Sequence, residues 1–241
     1  DVQAILATHV YGIPCQVDAL NQLAQANNIP LLYDAAHGFG VRLRGKSLFD
    51  YGDASICSFH ATKLFHSIEG GGIFFPKTQD RAPWELLRAF GHKGDQHVQL
   101  GINAKMSELH AMVGLQMLEH VEALIEERKA IYGRYQQLEV KGMQLWHSHL
   151  DSHLDWNYGY VPVLMDNEAC LQRFMEHLAA NNIFPRRYFY PALNQLPYLK
   201  EKYACPRAED FASRALCLPM YNNMQDEEWQ RISNALTSFN G

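Results

Sequence analysis

Residues Ser55 to Phe75 read SICSFHATKLFHSIEGGGIFF, and this stretch indicates how the chain folds. It begins with apolar residues typical of a buried strand, then reaches a hydroxyl at Ser58 and a lysine at Lys63. Three glycines follow, and a second β-prone run covers Ile73 to Phe75. Glycine lets a backbone approach a small molecule closely. A lysine between two strands and beside a glycine run therefore predicts a ligand site at this loop.

The upstream stretch Ile29 to Phe39, IPLLYDAAHGF, supplies an acid in a matching position. Its apolar run ends in Asp34. An aspartate can begin a helix as its N-cap. After a buried parallel strand, however, it faces the crevice where open α/β sheets bind ligands, and we favour that interpretation. An acid and Lys63, each just past a strand end, are what a pyridoxal phosphate (PLP) enzyme requires: the lysine holds the cofactor as a Schiff base, and the acid keeps the pyridine nitrogen protonated.

The order of elements predicts an α/β fold. An apolar run at Val2 to Thr8, helical spacing from Val17 to Asn28 and a strand at Leu31 to Tyr33 form a strand–helix–strand unit, which indicates a parallel sheet with flanking helices. We expect residues 1–130 to form a large domain with a mainly parallel sheet, and residues 131–241 to form a smaller C-terminal α/β domain.

Two further elements are expected downstream. An apolar stripe predicts one long helix from Ser107 to Leu138. Ile183 to Tyr190 is β-prone and predicts a strand of the small domain.

Five short motifs carry a resemblance to a known family. Together they make the chain resemble a nucleotide-sugar aminotransferase of the DegT/StrS class, a group of PLP enzymes with the aspartate-aminotransferase fold. The resemblance implies that the large domain is N-terminally incomplete, because the family's phosphate-capping turn and the ring stacked on the cofactor precede the matched part. The motifs are THVYG (8–12), YDAAHGFG (33–40), SFHATK (58–63), EGGG (69–72) and GINAKMSELHA (101–111).

The resemblance implies a role for four residues beside one cofactor. Lys63 would be the catalytic Schiff-base lysine, and Asp34 would pair with the pyridine nitrogen. His37 stands where the family commonly has glutamine, beside the cofactor's phenolic oxygen, and a histidine can donate the same hydrogen bond. Ser58 would contact the phosphate.

A fifth residue implies a partner subunit. Asn103 matches a residue that reaches the phosphate of the neighbouring subunit's cofactor, so the resemblance implies a homodimer with a shared active site. The family usually has arginine where this chain has Lys105, which weakens a bidentate phosphate contact.

The activity implied by the resemblance is transamination. An amino group, by family habit from glutamate, would pass to a nucleotide-linked keto-6-deoxy sugar, with a leaning toward dTDP, in the biosynthesis of amino sugars such as those of O-antigen. Whether nitrogen enters at C3 or C4 stays open. Another PLP reaction on this fold, such as dehydration or desulfuration, is the alternative within enzymes. A non-catalytic regulator on this scaffold and an inert part of a longer enzyme are the remaining alternatives.

Composition excludes several classes of protein. The 241 residues carry a formal net charge of −5, which gives no sign of a nucleic-acid surface. No apolar run is long enough to span a bilayer. The five cysteines form no CxxC pair, which favours reduced thiols and a cytoplasmic protein. His147, His149 and His153 lie near one another but lack an acid or cysteine at ligand spacing, so no metal site is expected.

Overall fold

The computed structural model describes residues 2–75, 80–146 and 152–241. The chain divides into two compact units. The first comprises Asp1–Glu122 and His153–Asn157, and the second comprises Ala123–Ser152 and Tyr158–Gly241.

Short strands occur in both units. In chain order they are β1 (Ile5–Thr8), β2 (Leu31–Asp34), β3 (Arg42–Leu43), β4 (Lys46–Ser47), β5 (Ala54–Ser58), β6 (Gly71–Phe74), β7 (His92–Lys93), β8 (Gln96–His97), β9 (Met143–Leu145), β10 (Leu154–Asp155), β11 (Val161–Met165) and β12 (Ala215–Leu218). The α-helices are α1 (Val17–Asn27), α2 (Ala82–Arg88), α3 (Glu108–Leu118), α4 (Val121–Gln136), α5 (Glu168–Ala180), α6 (Pro206–Arg214) and α7 (Asp226–Thr237).

The main sheet of the first unit has the order β1-β2-β5-β6. β1, β2 and β5 are parallel, whereas β6 returns antiparallel to β5. The mainly parallel α/β architecture expected from the strand–helix–strand pattern is therefore confirmed. One face of this sheet is buried with α1, where Val17, Ala24, Leu31 and Tyr33 form the core.

The opposite face of the main sheet is the more exposed of the two. Leu6 pairs with Leu32, and Asp34 pairs with Ile56. Paired residues point to the same side of a sheet, and side chains alternate along each strand. Leu6 and Ile56 are exposed, whereas Leu31 and Tyr33 on the other side are buried.

The prediction of a single long helix from Ser107 to Leu138 is wrong, because the structure divides this stretch into two helices. α3 ends at Leu118 and α4 begins at Val121. The His120 amide donates to the Met117 carbonyl, three residues back, at 3.0 Å, and this tighter turn ends the first helix. The Ser107 hydroxyl caps the start of α3 by accepting from the His110 amide.

The second unit is built on an antiparallel sheet in the order β12-β11-β9. Every residue of β11 and β12 is buried, and α5 packs its Leu171, Phe174 and Leu178 inward. The strand expected at Ile183 to Tyr190 is wrong. Only Arg186 pairs there, in an isolated bridge with Cys217 on the outer edge of β12, because the preceding Pro185 has no amide to donate.

Across the described ranges, no helix combines the length and the apolar character that a membrane crossing requires.

Candidate functional site

Asp34 and Ser58 lie on one face of the main sheet, at the carboxyl ends of neighbouring parallel strands. Asp34 is the last residue of β2 and pairs with Ile56 of β5. Ser58 follows two residues later and ends β5, so its side chain leaves the sheet on the same side. The Asp34 carboxylate accepts a hydrogen bond from the Ala36 amide at 3.0 Å, which orients it at the strand end.

Lys63 lies in the loop that joins β5 to β6, and this loop is closed by its own backbone. The Phe59 amide donates to Gly70 O at 2.9 Å, and the Ala61 amide donates to Ile68 O at 2.7 Å. Lys63 itself donates its amide to His60 O at 2.9 Å, and the residue is half-buried. The loop is therefore a compact turn that holds the lysine a few residues beyond Ser58.

Gly70, near the end of the lysine loop, has a backbone conformation and close neighbours that suit only glycine. It has a φ of +152°, which L side chains rarely adopt. A Cβ at this position would lie 2.6 Å from both the Met106 Cε and the Ser67 Oγ. The glycine run therefore lets the lysine loop close against its neighbours.

Three phenylalanine rings join the lysine loop to the segment after Asp34. Phe39 stacks on Phe65 with ring centroids 4.0 Å apart, and Phe59 meets Phe65 edge-on at 5.0 Å. Phe39 follows Asp34 by five residues, whereas the other two rings flank Lys63. Packing of these rings fixes the lysine loop relative to the acid-bearing segment.

The pKa values of Cys57 and His37, two buried groups, are shifted by burial and by the charges of the site. Burial raises the pKa of the Cys57 thiol to about 12, while the Lys63 charge lowers it and the Asp34 charge raises it. Burial lowers the pKa of His37 to about 3, and the Lys63 charge lowers it further. Lys63 and Asp34 thus both act on Cys57, and Lys63 also acts on His37.

His37 is buried and held on two sides. Its ring Nδ1 accepts a hydrogen bond from the Tyr11 amide at 3.0 Å. Its carbonyl oxygen accepts from the Asn157 side-chain amide at 2.8 Å.

Asn103 lies in a later segment of the chain than these four residues. Its backbone forms an isolated bridge with Ala89, and its Oδ1 accepts from the Lys105 Nζ at 2.5 Å. It is exposed, and the Lys105 ammonium also lies 3.8 Å from the centre of the Phe90 ring. The role of Asn103 toward a neighbouring subunit stays a prediction.

Sequence reasoning missed three residues that hold His37 in place. They are Tyr11, Trp156 and Asn157. The last two come from the segment His153–Asn157, which belongs to the first unit although the chain on either side of it belongs to the second. Gly12 in THVYG was a signal for the first, because its φ of +77° marks a tight turn. No local pattern marks the other two.

The three histidines weighed as metal ligands fall mostly outside the description. His147 and His149 lie outside the described residues, and His153 contributes its carbonyl to the Arg44 amide at 2.8 Å. Within the described ranges, no three or more His, Cys, Asp or Glu side chains are arranged to hold a metal ion.

A carboxylate and a hydroxyl lie at the carboxyl ends of β2 and β5, and an amine and a neutral imidazole lie in the segments that follow these strands. Such a set can bind a charged, ring-shaped ligand and can move protons at it. A carboxylate can pair with a protonated ring nitrogen, and an amine can attack a carbonyl carbon.

Comparison with known proteins finds relatives along nearly the whole chain. The sequence model of the DegT/DnrJ/EryC1/StrS aminotransferase family matches residues 1–237. The chain is 34% identical over 244 residues to the dTDP-4-amino-4,6-dideoxy-D-glucose transaminase of Shigella dysenteriae, an alignment that covers 98% of this chain and 66% of the relative. It is 32% identical over 246 residues to the Escherichia coli protein of the same name, covering 97% of this chain and 65% of that relative.

A solved structure shares the fold at similar identity. The crystal structure of DesI in the presence of its TDP-sugar product superposes with a TM-score of 0.88 and 31% identity, covering 98% of this chain and 62% of that one. The chain thus spans about two thirds of the length of the proteins that it matches.

Proposed function

Because the chain belongs to the DegT/DnrJ/EryC1/StrS aminotransferase family, we propose that it acts as a PLP-dependent sugar aminotransferase whose catalytic lysine is Lys63. One observation carries the proposal. Asp34 and Ser58 share one face at the carboxyl ends of neighbouring strands, and the compact loop with Lys63 follows directly. The resemblance seen in the five motifs is confirmed at the level of the family.

Asp34, Ser58 and Lys63 have the chemistry that PLP binding requires. When bound, PLP supplies a protonated pyridine ring that draws electrons away from the substrate carbon undergoing reaction. The Asp34 carboxylate would accept a hydrogen bond from the pyridine nitrogen and keep it protonated. One of its oxygens is already oriented by the Ala36 amide. The Ser58 hydroxyl would donate to the phosphate.

Lys63 would have two tasks. Its amine would hold the cofactor covalently in the resting protein, and once released it would move a proton at the carbon of the amino donor. The compact turn from Phe59 to Gly70, anchored by stacked phenylalanine rings, keeps the amine near the acid-bearing segment.

The proposed substrate is a dTDP-linked 4-keto-6-deoxy sugar with glutamate as amino donor. Two relatives above 30% identity are named for a dTDP-4-amino-4,6-dideoxy sugar, which supports amination at C4. The alternatives of another PLP reaction and of a non-catalytic regulator are not favoured, because both of these relatives are transaminases.

Covalent trapping tests the assignment of the lysine. PLP is added to the protein, sodium borohydride reduces the linkage, and peptide mass spectrometry locates the modified residue. We expect the adduct on Lys63 and its loss in Lys63→Ala. Lys93→Ala, which removes an exposed lysine of the same unit, is the matched control and should keep the adduct. An adduct that persists in Lys63→Ala contradicts the proposal.

Product analysis tests the reaction. The protein with PLP and glutamate is incubated separately with the 4-keto and the 3-keto isomers of the dTDP-6-deoxy sugar. We expect a mass change from keto to amino sugar with the 4-keto isomer, together with formation of 2-oxoglutarate. An unsaturated or deoxygenated sugar would indicate the dehydration alternative instead.

The quaternary structure and cellular location remain proposals. We propose a homodimer in which the segment around Asn103 faces the second subunit. Support comes from α3, which starts five residues later and exposes Leu109, Met112 and Leu115, each more than 60% accessible. The cytoplasmic location suggested by scattered cysteines is likewise a prediction, to be checked by cell fractionation.

A further inference from the structure

We propose that the Tyr11 amide fixes His37 in one tautomer, with the ring proton on Nε2, so that His37 is a permanent hydrogen-bond donor toward the cofactor ring. We further propose that Trp156 and Asn157 are positioning residues that keep this arrangement in place. The inference rests on the proposed function for the identity of the ligand, but the tautomer itself does not depend on it.

The hydrogen bond at Nδ1 decides the tautomer. The Tyr11 amide donates to the His37 Nδ1 across 3.0 Å in a buried position. A backbone N–H can only donate, so Nδ1 must present a lone pair. A neutral imidazole that accepts at one nitrogen carries its proton on the other.

Burial keeps the ring in that neutral form. His37 is 8% exposed, and desolvation, aided by the positive charge of Lys63, holds the pKa of its imidazole near 3. A doubly protonated ring would also lose the acceptor that the Tyr11 amide uses. Geometry and charge therefore favour the same single state.

Two consecutive residues, Trp156 and Asn157, bind the backbone carbonyls of Tyr11 and His37 respectively. The indole Nε1 of Trp156 donates to the Tyr11 carbonyl at 2.9 Å. The side-chain amide of Asn157 donates to the carbonyls of His37 and Phe39, both at 2.8 Å. Trp156 and Asn157 are 5% and 2% exposed, so these bonds form away from water, where an unmet carbonyl is costly.

Strand pairing brings these two residues to the site. β10 pairs antiparallel with β3, Leu154 opposite Leu43 and Asp155 opposite Arg42. β3 follows the His37 segment within a few residues, so the pairing places Trp156 and Asn157 beside that segment. Trp156 and Asn157 together form a clamp on the Tyr11–His37 pair, and this clamp is a long-range contact within the first unit.

His37 stands where the family commonly has glutamine, and a fixed tautomer explains how histidine can take that place. Where the family commonly has glutamine, the side-chain NH₂ can donate regardless of pH. A histidine equals it only if its Nε2 carries a proton and its charge does not change. The Tyr11 amide and the clamp supply both conditions, which makes His37 a functional substitute for an amide donor.

Nitrogen NMR of the histidine rings tests the tautomer before any cofactor is added. Protein labelled with ¹⁵N-histidine gives long-range ¹H–¹⁵N correlations for its 12 histidines, and His37→Gln assigns the signals of His37 by their loss. We expect an unprotonated Nδ1 and a protonated Nε2, unchanged between about pH 5 and pH 8. A protonated Nδ1, averaged nitrogen shifts, or titration within that range would overturn the inference.

Asn157→Leu tests the roles of Trp156 and Asn157 with a side chain that keeps the same number and branching of heavy atoms but cannot hydrogen-bond. We expect the two His37 nitrogen shifts to move toward each other, because the ring loses its fixed position. Asn21→Ala, which changes an exposed asparagine on α1, is the control and should leave the His37 signals unchanged. Unchanged His37 signals in Asn157→Leu would remove the positioning role of Asn157. The wild-type spectrum decides the tautomer even if this variant does not fold.

Addition of PLP separates the inference from the proposed function. If PLP binds and the Nε2 proton of His37 shifts while the tautomer stays the same, both stand. If PLP binds without affecting that proton, the donor role is wrong and the proposed function stands. If PLP does not bind, the proposed function fails, and the donor role fails with it, whereas the tautomer is judged on the first spectrum alone.

Discussion

Asp34 and Ser58 leave the main sheet on the same side, one from the end of β2 and the other from the end of β5. The pairing of Asp34 with Ile56 fixes this relationship, because Ser58 lies two residues beyond Ile56 on the same strand. A parallel sheet therefore presents an acid and a hydroxyl to one crevice without any contribution from loop geometry. The Lys63 loop, in contrast, depends on its own hydrogen bonds and on aromatic packing.

Asp34→Asn should weaken PLP binding while preserving the fold. The asparagine Oδ1 can still accept from the Ala36 amide, so the strand end keeps its shape. Loss of the charge removes a charge-assisted hydrogen bond worth about 1.5–3 kcal/mol, which corresponds to roughly 10–150-fold weaker binding. Titration with PLP, followed by absorbance, measures this change.

Asp50→Asn is the matched control for that titration, because Asp50 is an exposed acid of the same unit. Its affinity for PLP should equal that of the wild type. Equal affinity in Asp34→Asn would show that Asp34 does not face the pyridine nitrogen.

Several features could be predicted from the sequence because they are local. An apolar run that ends in Asp34, and another that ends in Ser58, reveal the strand ends directly. The glycines after Lys63 predict a tight loop, and Gly70 lies close to Met106 and Ser67; the close approach of a ligand stays a prediction. In each case neighbouring residues determine the structure.

Other features could not be predicted because they depend on distant partners. Asn157 reaches His37 across 120 positions of sequence, and only the pairing of β10 with β3 brings it there. Ile183 to Tyr190 has strand propensity but forms only one bridge, to Cys217 of the edge strand β12, because propensity alone does not decide how long two segments run side by side. The break before Val121 is set by one tighter turn among residues that all tolerate a helix.

Gly12→Ala should destabilise the protein more than an equivalent change elsewhere. Gly12 has a φ of +77°, and a Cβ there would lie 2.7 Å from His37 O. The left-handed conformation and the clash together should cost about 3 kcal/mol of unfolding free energy. Urea unfolding measures the loss.

Gly45→Ala provides the comparison, because Gly45 has nearly the same φ, +74°, with open space around it. It should cost only the conformational part, about 1 kcal/mol. Equal losses in the two variants would show that the approach of Gly12 to the His37 segment is not tight.

Stability should fall as pH drops below about 6.5, and His9 is one cause. Burial lowers the pKa of His9 from 6.5 to about 4. Between these values the unfolded chain binds a proton that the folded chain excludes, so the unfolding free energy decreases toward acid, by up to about 1.4 kcal/mol per pH unit. His37 contributes with the same sign.

His9→Asn isolates this contribution. The asparagine oxygen can replace the Nδ1 that accepts from the Cys15 amide at 3.0 Å, but it does not titrate. Urea unfolding at several pH values should show a shallower slope in this variant than in the wild type. His120→Asn, at an exposed position, is the control. An unchanged slope in His9→Asn would show that the pKa of His9 is the same in the folded and the unfolded protein.

Leu115→Glu should convert the proposed dimer to a monomer. Leu115 is 67% exposed, and Met112 one turn earlier is 61% exposed, so α3 presents apolar side chains to its surroundings. Burying them against a second copy would stabilise a dimer, and a charge at the centre of such a contact would be left without a partner. Gln22→Glu adds the same charge at an exposed position of α1 and should leave the dimer intact. Sedimentation velocity at several concentrations distinguishes the two states, and a Leu115→Glu protein that sediments as a dimer would show that α3 lies outside the interface.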